Sequence, residues 1–214
     1  MSSAEPLVRL ASDRDVPALA AMLARAFDDD PVVAWSCRSA SLRPSMLRRF
    51  HAARLRQLIR RGAVWTTADR SSVAVWAAPG NWRTTTVEDI ALARSLLRTR
   101  VLAHPRTLLG TPLVAAGLLG IERRHPPDPA HWYLAVLGTE PAAQGRGLAS
   151  AVLAPILRGC DADEVGAYLE SSKERNLDFY ARHGFRVTRE LRLPRGPRVW
   201  AMWREPRARE SLDA

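Results

Sequence analysis

The feature that most constrains this chain is the junction between residues 131 and 159. HWYLAVLGT, residues 131–139, is an apolar run of strand length, and GLASAVLAPILRG, residues 147–159, carries apolar side chains at helical spacing. The connecting EPAAQGRG and the first residues of the helix hold three small residues, Gly145, Gly147 and Ala149. Glycine at the head of a helix is costly unless the backbone must do something that a larger residue forbids. After a strand, such a loop offers the helix's first N–H groups, which no intrahelical acceptor uses, at the positive end of the helix dipole. An anion fits there, a phosphate especially well. On the glycines alone, an ordinary turn before a helix is an equal alternative.

The spacing rules out two familiar phosphate loops. QGRGLA lacks the lysine and Ser/Thr that close a Walker A loop, and its small residues do not have the G-x-G-x-x-G register of a dinucleotide fold.

Around this junction the chain alternates. LVRLA reads as a strand and SDRDVPALAAMLARAF as a helix, with Ser12 and Asp15 at capping-box spacing. DDDP ends that helix, because Pro31 disfavours a helical Asp30. A basic amphipathic helix, PSMLRRFHAARLRQLIRRG, closes at Gly62, and AVWTTA and SSVAVWAAPG read as a hairpin. Residues 84–130 read as mostly helical with proline breaks, ending in the loop ERRHPPDPA. Beyond HWYLAVLGT and its helix come strand EVGAYLESS, helix ERNLDFYARHG and strands FRVTRELRLP and RVWAMW, a β-α-β-α-β-β run. An α/β fold of the α+β type follows, as a single domain over residues 1–206 with a polar tail, 207–214.

The formal net charge of +10 at pH 7 suits nucleic acid, an acidic surface or a phosphate-rich ligand, and equally an arginine-rich but ordinary soluble surface. Cys37 and Cys160 match no zinc or redox spacing, which places the chain in a reducing cytoplasm. The dispersed histidines imply no metal site, and His131 and His183 read as structural. The N-terminus lacks a signal-peptide pattern, and PLVAAGLLGI is about half the length of a bilayer span.

Gln144, Gly147 and Ala149 fit the Gln/Arg-x-x-Gly-x-Gly/Ala signature of the GNAT superfamily of acyl-CoA-dependent N-acyltransferases, and YLESSKERNLDFYARHGF resembles its second signature. VRLASDRDVPALAAMLARAF, VAVWAAPG, GLASAVLAPIL, NLDFYARHGFRVT and GPRVWAMWREP are similar, in the same order, to the branch of that superfamily that acetylates aminonucleoside antibiotics. The likeness runs from about residue 7 to 206 and is weakest from about 84 to 125.

The resemblance implies a mixed central sheet splayed between two central strands and flanked by helices. It implies acetyl-CoA as acyl donor and the amine of a small molecule as acceptor, with no metal, no membrane, little call for nucleic acid, and a monomer or homodimer. The pantetheine arm would lie along Leu137, Gly138 and Thr139, and the pyrophosphate on Gln144, Gly145, Arg146, Gly147, Leu148, Ala149 and Ser150. Asn176 matches a cofactor contact, and Tyr180 the tyrosine that protonates the departing thiolate. A phenol suits that task once hydrogen-bonded to the thiolate; taken alone, Tyr180 reads equally as an aromatic packed beside Phe179 and Phe185.

A base must take a proton from the amine, and an α-amino group with a pKa near 7.7–8.0 asks little of it. Glu170, at the end of AYLESS, would point into the cleft where the central strands part, or else pair with an arginine. Glu140 suits the role less, because the strand gives way there to the cofactor loop. On the acceptor side, Asp28–Asp30 replace the aromatic residue that the aminonucleoside branch carries before Pro31. Asp30, in this acidic run, would attract a cationic amine or simply belong to a solvated helix end, and Trp35, with Trp65, Trp76 and Trp82, would form a stacking wall or simply part of the core. A non-catalytic acyl-CoA sensor or a nucleic-acid-binding module through the arginine-rich second helix is the competing class, and acetylation of a peptide or protein amine is a third.

Overall fold

A computed structural model describes residues 6–61, 63–83, 94, 117 and 119–207. Seven strands form one sheet: β1 (Val8–Leu10), β2 (Val64–Thr67), β3 (Ser72–Ala77), β4 (His131–Thr139), β5 (Gly166–Ser171), β6 (Arg186–Arg192) and β7 (Arg198–Arg204). Their order is β1-β2-β3-β4-β5-β7-β6, and only β4 and β5 run parallel. The helices are α1 (Val16–Ala26), α2 (Pro31–Ser36), α3 (Arg43–Ile59), α4 (Leu148–Ala162) and α5 (Leu177–Arg182).

The sheet is covered on both faces, which is why all six residues of β3 are buried. On one face, Leu19, Leu23, Leu55 and Leu58 of α1 and α3 pack on Val64, Val73, Val75 and Val136. On the other, Val152, Leu153 and Leu157 of α4 pack with Trp76, Leu134, Leu169, Phe185 and Met202. Period-two alternation along each strand sends neighbouring side chains to opposite cores. Gly138 of β4 is glycine because α1 presses on it: a Cβ there would collide with the Leu23 side chain.

The α1 entrance carries the expected box. The Ser12 N–H donates to Asp15 Oδ2 at 2.9 Å, while Arg9 donates to both carboxylate oxygens at 2.8 Å. One 3₁₀ turn, Asp13–Asp15, precedes the helix proper. Arg9 and burial act oppositely on Asp15, and Arg9, the larger effect, holds its carboxyl far below the usual range.

Pro31 does more than close the first helix. Asp30 caps a second one, α2, accepting from the Val32 N–H at 2.9 Å and the Val33 N–H at 3.1 Å, with Pro31 at the position where its fixed φ is favourable. That helix has no sequence periodicity to announce it, being shorter than two turns. The expected hairpin is β2 and β3, and the expected strands and helices from residue 131 onward stand where the sequence puts them. Of the expected helical stretch 84–130, the greater part lies outside the described residues, as does the tail beyond Arg207; residues 123–130 form the expected loop. No described helix is long and apolar enough to cross a membrane.

Candidate active site

β4 and β5 are paired from His131↔Gly166 to Leu134↔Leu169 and then part. Each stays zipped to its outer neighbour: β4 to β3 as far as Thr139↔Ser72, and β5 to β7 as far as Ser171↔Trp200. A gap therefore opens in the middle of the sheet, edged on one side by Ala135–Thr139, which have no strand partner toward β5. Leu137, Gly138 and Thr139 lie on this edge; Thr139 Oγ1 is 2.9 Å from Ser72 Oγ.

The loop from Gln144 to Gly147 leads out of β4 and is exposed. Gly145 and Gly147 adopt φ of +77° and +76°, which L side chains rarely do, and a Cβ at either would meet open space. Gly147 begins α4 without any side-chain cap, and the first helix bond is Ala151 N–H to the Gly147 carbonyl at 3.1 Å. The N–H groups of residues 145–150 accordingly have no acceptor among the described residues. Gln144 reaches back to the Thr139 carbonyl (3.4 Å), and Arg146 is exposed. Leu148 and Ala149 are half-buried in the first turn, and Ser150 shares a 2.9 Å hydrogen bond with His183 Nε2, which ties α4 to the end of α5. Burial and the neighbouring arginines keep His183 below the usual imidazole range, consistent with a structural histidine.

Asn176 ends a 3₁₀ turn one helical turn before Tyr180, and no hydrogen-bond partner of its amide is found among the described residues. Tyr180 is 8% exposed, set between Phe179 and Phe185 at centroid distances of 5.3 and 6.1 Å. Burial, and then the charge of Asp30, hold its phenol well above the ordinary value, so it is a protonated group at neutral pH. Asp30 is buried; besides capping α2 it accepts from Ser172 Oγ. Asp29, by contrast, faces outward and pairs with Lys173 and, at 2.6 Å, Arg175. A cleft of about 400 Å³ opens here between Pro31, Ser172, Lys173, Arg175, Arg198 and Trp200.

Glu170 is the first residue of β5 past the point of parting. It shares a strand face with Tyr168, whose ring lies 6.1 Å from that of Tyr133 across the last paired segment. Burial first, and then the charge of Glu170, hold both phenols well above the ordinary value. Tyr133 packs against the α1/α3 core whereas Tyr180 belongs to the α4 core. Glu170 and Tyr180 thus lie on opposite faces of the sheet.

Glu140 is engaged elsewhere. Arg25 donates to it at 2.5, 3.0 and 3.1 Å and, as the largest influence, holds its carboxyl below the usual range. The four tryptophans do not form one wall. Trp76 is fully buried in the α4 core, Trp82 stacks on His125 at 3.8 Å on the other face, and Trp35 lies against Gly117 and Gly196, where a Cβ would stand 2.6–2.7 Å from its ring. Both cysteines are buried thiols, and burial pushes Cys160 up to about 12. Among the described residues no group of three His, Cys, Asp or Glu side chains is placed to hold a metal ion.

Sequence reasoning missed His125. It is 6% exposed, its Nδ1 stands 3.8 Å from Glu170 Oε1, and its Nε2 is 3.0 Å from His131 Nε2. The only sequence signal is a histidine locked among prolines, in RHPPDPA.

A model of the acetyltransferase (GNAT) family matches residues 75–185, from β3 to the Phe185 that follows α5. Over 195 residues the chain is 27% identical to an uncharacterized N-acetyltransferase of Schizosaccharomyces pombe, a match covering 85% of this chain and 75% of that protein. The fold is similar to that of histone acetyltransferase HPA2 and related acetyltransferase from Corynebacterium glutamicum, with TM-score 0.67, 21% identity, and 95% and 97% of the two chains covered. It is also similar to a Drosophila melanogaster polyamine N-acetyltransferase that catalyses the formation of N-acetylagmatine, with TM-score 0.55, 14% identity and coverage of 93% and 99%. The matched segment contains the parted strands, the glycine loop and the tyrosine helix, and the chain belongs to the GNAT family of acetyltransferases.

Proposed function

We propose that the chain transfers an acetyl group from acetyl-CoA directly to the primary amine of a small molecule, with Glu170 as general base and Tyr180 as general acid. The observation that carries this reading is the gap past Leu134↔Leu169, with the Glu170 side chain, 9% exposed, just past the parting on one face and the buried, protonated Tyr180 phenol in the core of the other. The residues fit the donor. The left-handed Gly145 and Gly147 leave room for a ligand, and among the described residues neither the N–H groups of residues 145–150 nor the Asn176 amide has a partner, which suits a pyrophosphate. The unpaired edge at Leu137–Thr139 would hold the pantetheine arm as an added strand does.

Acetyl-CoA supplies the activated acyl group. Glu170 removes a proton from the amine nitrogen as its lone pair attacks the thioester carbonyl, and Tyr180 donates its proton to the sulfur as the carbon–sulfur bond breaks. No acyl-enzyme is needed, since base and acid serve one direct displacement from opposite sides. Asp30 acts by charge: its oxygens already accept from two N–H groups and Ser172, so it would favour a cationic amine without contacting it. Trp35 would bound the acceptor side.

An aminonucleoside such as puromycin is the first candidate acceptor, on the ordered likeness of five sequence blocks to puromycin N-acetyltransferase, which would make the protein a cytoplasmic antibiotic-resistance enzyme. The acidic residue before Pro31 distinguishes it from that enzyme. The test is release of free thiol from acetyl-CoA with puromycin, polyamines, agmatine and peptides in turn. Release with puromycin is the expected result; release only with another amine replaces the acceptor and keeps the mechanism. Binding of acetyl-CoA with no release from any amine moves the chain to the sensor class.

A further inference from the structure

We propose that His125 is a proton carrier behind Glu170: the proton that Glu170 takes from the amine passes to His125 Nδ1, and His131 holds His125 in the tautomer that can receive it. The proposal rests on Glu170 being the base and concerns what becomes of its proton.

The tautomers follow from one contact. His131 Nδ1 lies 2.7 Å from the Pro129 carbonyl, which can only accept, so the proton of the His131 ring is on Nδ1. Burial, the largest influence, keeps His131 below the usual imidazole range, so this ring is neutral and its Nε2 is a bare acceptor. His125 Nε2, 3.0 Å away, must then be the donor. In a neutral His125 the remaining nitrogen, Nδ1, carries a lone pair and faces Glu170 Oε1 at 3.8 Å. Glu170 also accepts from the Tyr133 and Tyr168 hydroxyls, so its carboxylate is held in place beside this lone pair. A proton arriving on the carboxylate therefore has one vacant nitrogen lone pair next to it, that of His125 Nδ1.

The surroundings are buried and aromatic. His125 and the Glu170 side chain are 2% and 9% exposed, so the ion pair formed would be weakly screened. Trp82 of the neighbouring segment stacks on His125 at 3.8 Å, an arrangement that stabilises an imidazolium. Tyr133 of β4 and Tyr168 of β5 stand edge-on to the ring at 4.8 Å; both phenols are held neutral, so neither competes for the proton at working pH. The charged groups next outward are Arg54 of α3, which acts on Tyr133, and Arg189 of β6, which acts on Tyr168. At 3.8 Å, a small side-chain rotation of Glu170 closes the hydrogen bond.

The proton balance is simple. The amine N–H bond breaks and the carboxyl O–H bond forms; that O–H then yields to an Nδ1–H bond, leaving a carboxylate beside an imidazolium, with Nε2–H still donated to His131. After the product leaves, the proton returns through Glu170 to water in the cleft. Without His125 the proton stays on Glu170 until the product has left and cleft water can take it, so the carboxyl is not restored as a carboxylate while the acyl group is still being transferred. His125 and His131 are thus positioning residues that act through Glu170.

Three substitutions, assayed by thiol release with puromycin, agmatine and spermidine, separate the possibilities. His125→Ala is expected to lower kcat on the order of 10–100-fold, with KM for acetyl-CoA unchanged and kcat recovered by added imidazole, which fits the vacated space. Glu170→Gln is expected to be impaired and not rescued. His125→Gln keeps most of the volume and guards against a folding defect; it should match His125→Ala without imidazole. Wild-type kcat in both His125 variants beside an impaired Glu170→Gln overturns the relay and keeps the base, whereas wild-type kcat in Glu170→Gln removes the base itself. Loss of activity that imidazole does not restore also overturns the relay. Imidazole ¹⁵N spectra of the wild-type protein decide the matter independently of any acceptor. Protonated Nδ1 on His131, protonated Nε2 on His125, and a His125 titration altered by Glu170→Gln while that of His183 is unchanged are expected; the opposite tautomer on either ring overturns the proposal.

Discussion

Leu134 and Leu169 are the last residues joined across β4 and β5, and Glu170 follows immediately on the freed side. The base candidate owes its access to the gap, while Tyr180 belongs to the core on the opposite face of the sheet. Replacing Tyr180 by Phe removes only the acidic oxygen from a packed ring. The expected outcome is a fall in kcat of about 10²-fold or more, with the Kd for coenzyme A unchanged when measured by calorimetry. Wild-type turnover would remove the phenol from the mechanism.

Gly147 makes the sharpest demand on the cofactor loop, because it has φ of +76° and heads α4. Gly147→Ala forces a β-carbon into a left-handed conformation at a cost of about 1–2 kcal/mol, and into space that a pyrophosphate would occupy. Affinity for coenzyme A should fall by about tenfold or more, since 1.4 kcal/mol is a factor of ten. The KM for the amine should not move, and calorimetry with coenzyme A and steady-state kinetics check the two halves separately.

Glu140 and Glu170 are both strand-end carboxylates, and the structure separates them by partner. Glu140 is tied to Arg25, whose side chain is 57% exposed. Glu140→Gln should therefore cost no more than about 1 kcal/mol in stability and leave kcat at the wild-type level. Glu170→Gln should cut kcat while changing the Kd for coenzyme A little. Equal kinetic losses from the two substitutions would contradict this division.

His51 of α3 is buried between Phe27 and Phe50, with neither ring nitrogen partnered among the described residues. Burial pulls its pKa down to about 4. The unfolded chain, with a histidine near 6.5, binds a proton between those values that the folded chain refuses. Stability is consequently full above pH 6.5 and falls as pH drops toward 4, by about 2 kcal/mol at pH 5 from this group. His51→Leu should abolish that part of the loss, and urea titrations at pH 7.5 and pH 5 on both proteins measure it. An unchanged difference between the two pH values would show that His51 is not the cause.

Much of this molecule is local in origin and was legible before any fold was known. The strand at 131–139, the glycines before α4 and the helix bearing Tyr180 each follow from hydrophobic period and backbone freedom over a few residues. α2 escaped because six residues carry too little pattern, although Asp30 followed by Pro31 is a cap. Asp30 itself was expected at the acceptor mouth and proves to be buried, its oxygens committed to α2 and Ser172. His125 escaped because a proline-rich loop has no period, and nothing local says that it folds back beside Glu170.

The sequence by itself determined which segments are strands and helices, and which loop can receive an anion, because those are properties of short stretches of backbone. Only the tertiary structure decided where β4 and β5 part. Each remains hydrogen-bonded to its outer neighbour, β3 or β7, beyond the point where they leave one another. That balance among strands distant in the chain frees Glu170 on one face of the sheet while Tyr180 stays in the core of the other, and the fold sets His125 beside Glu170.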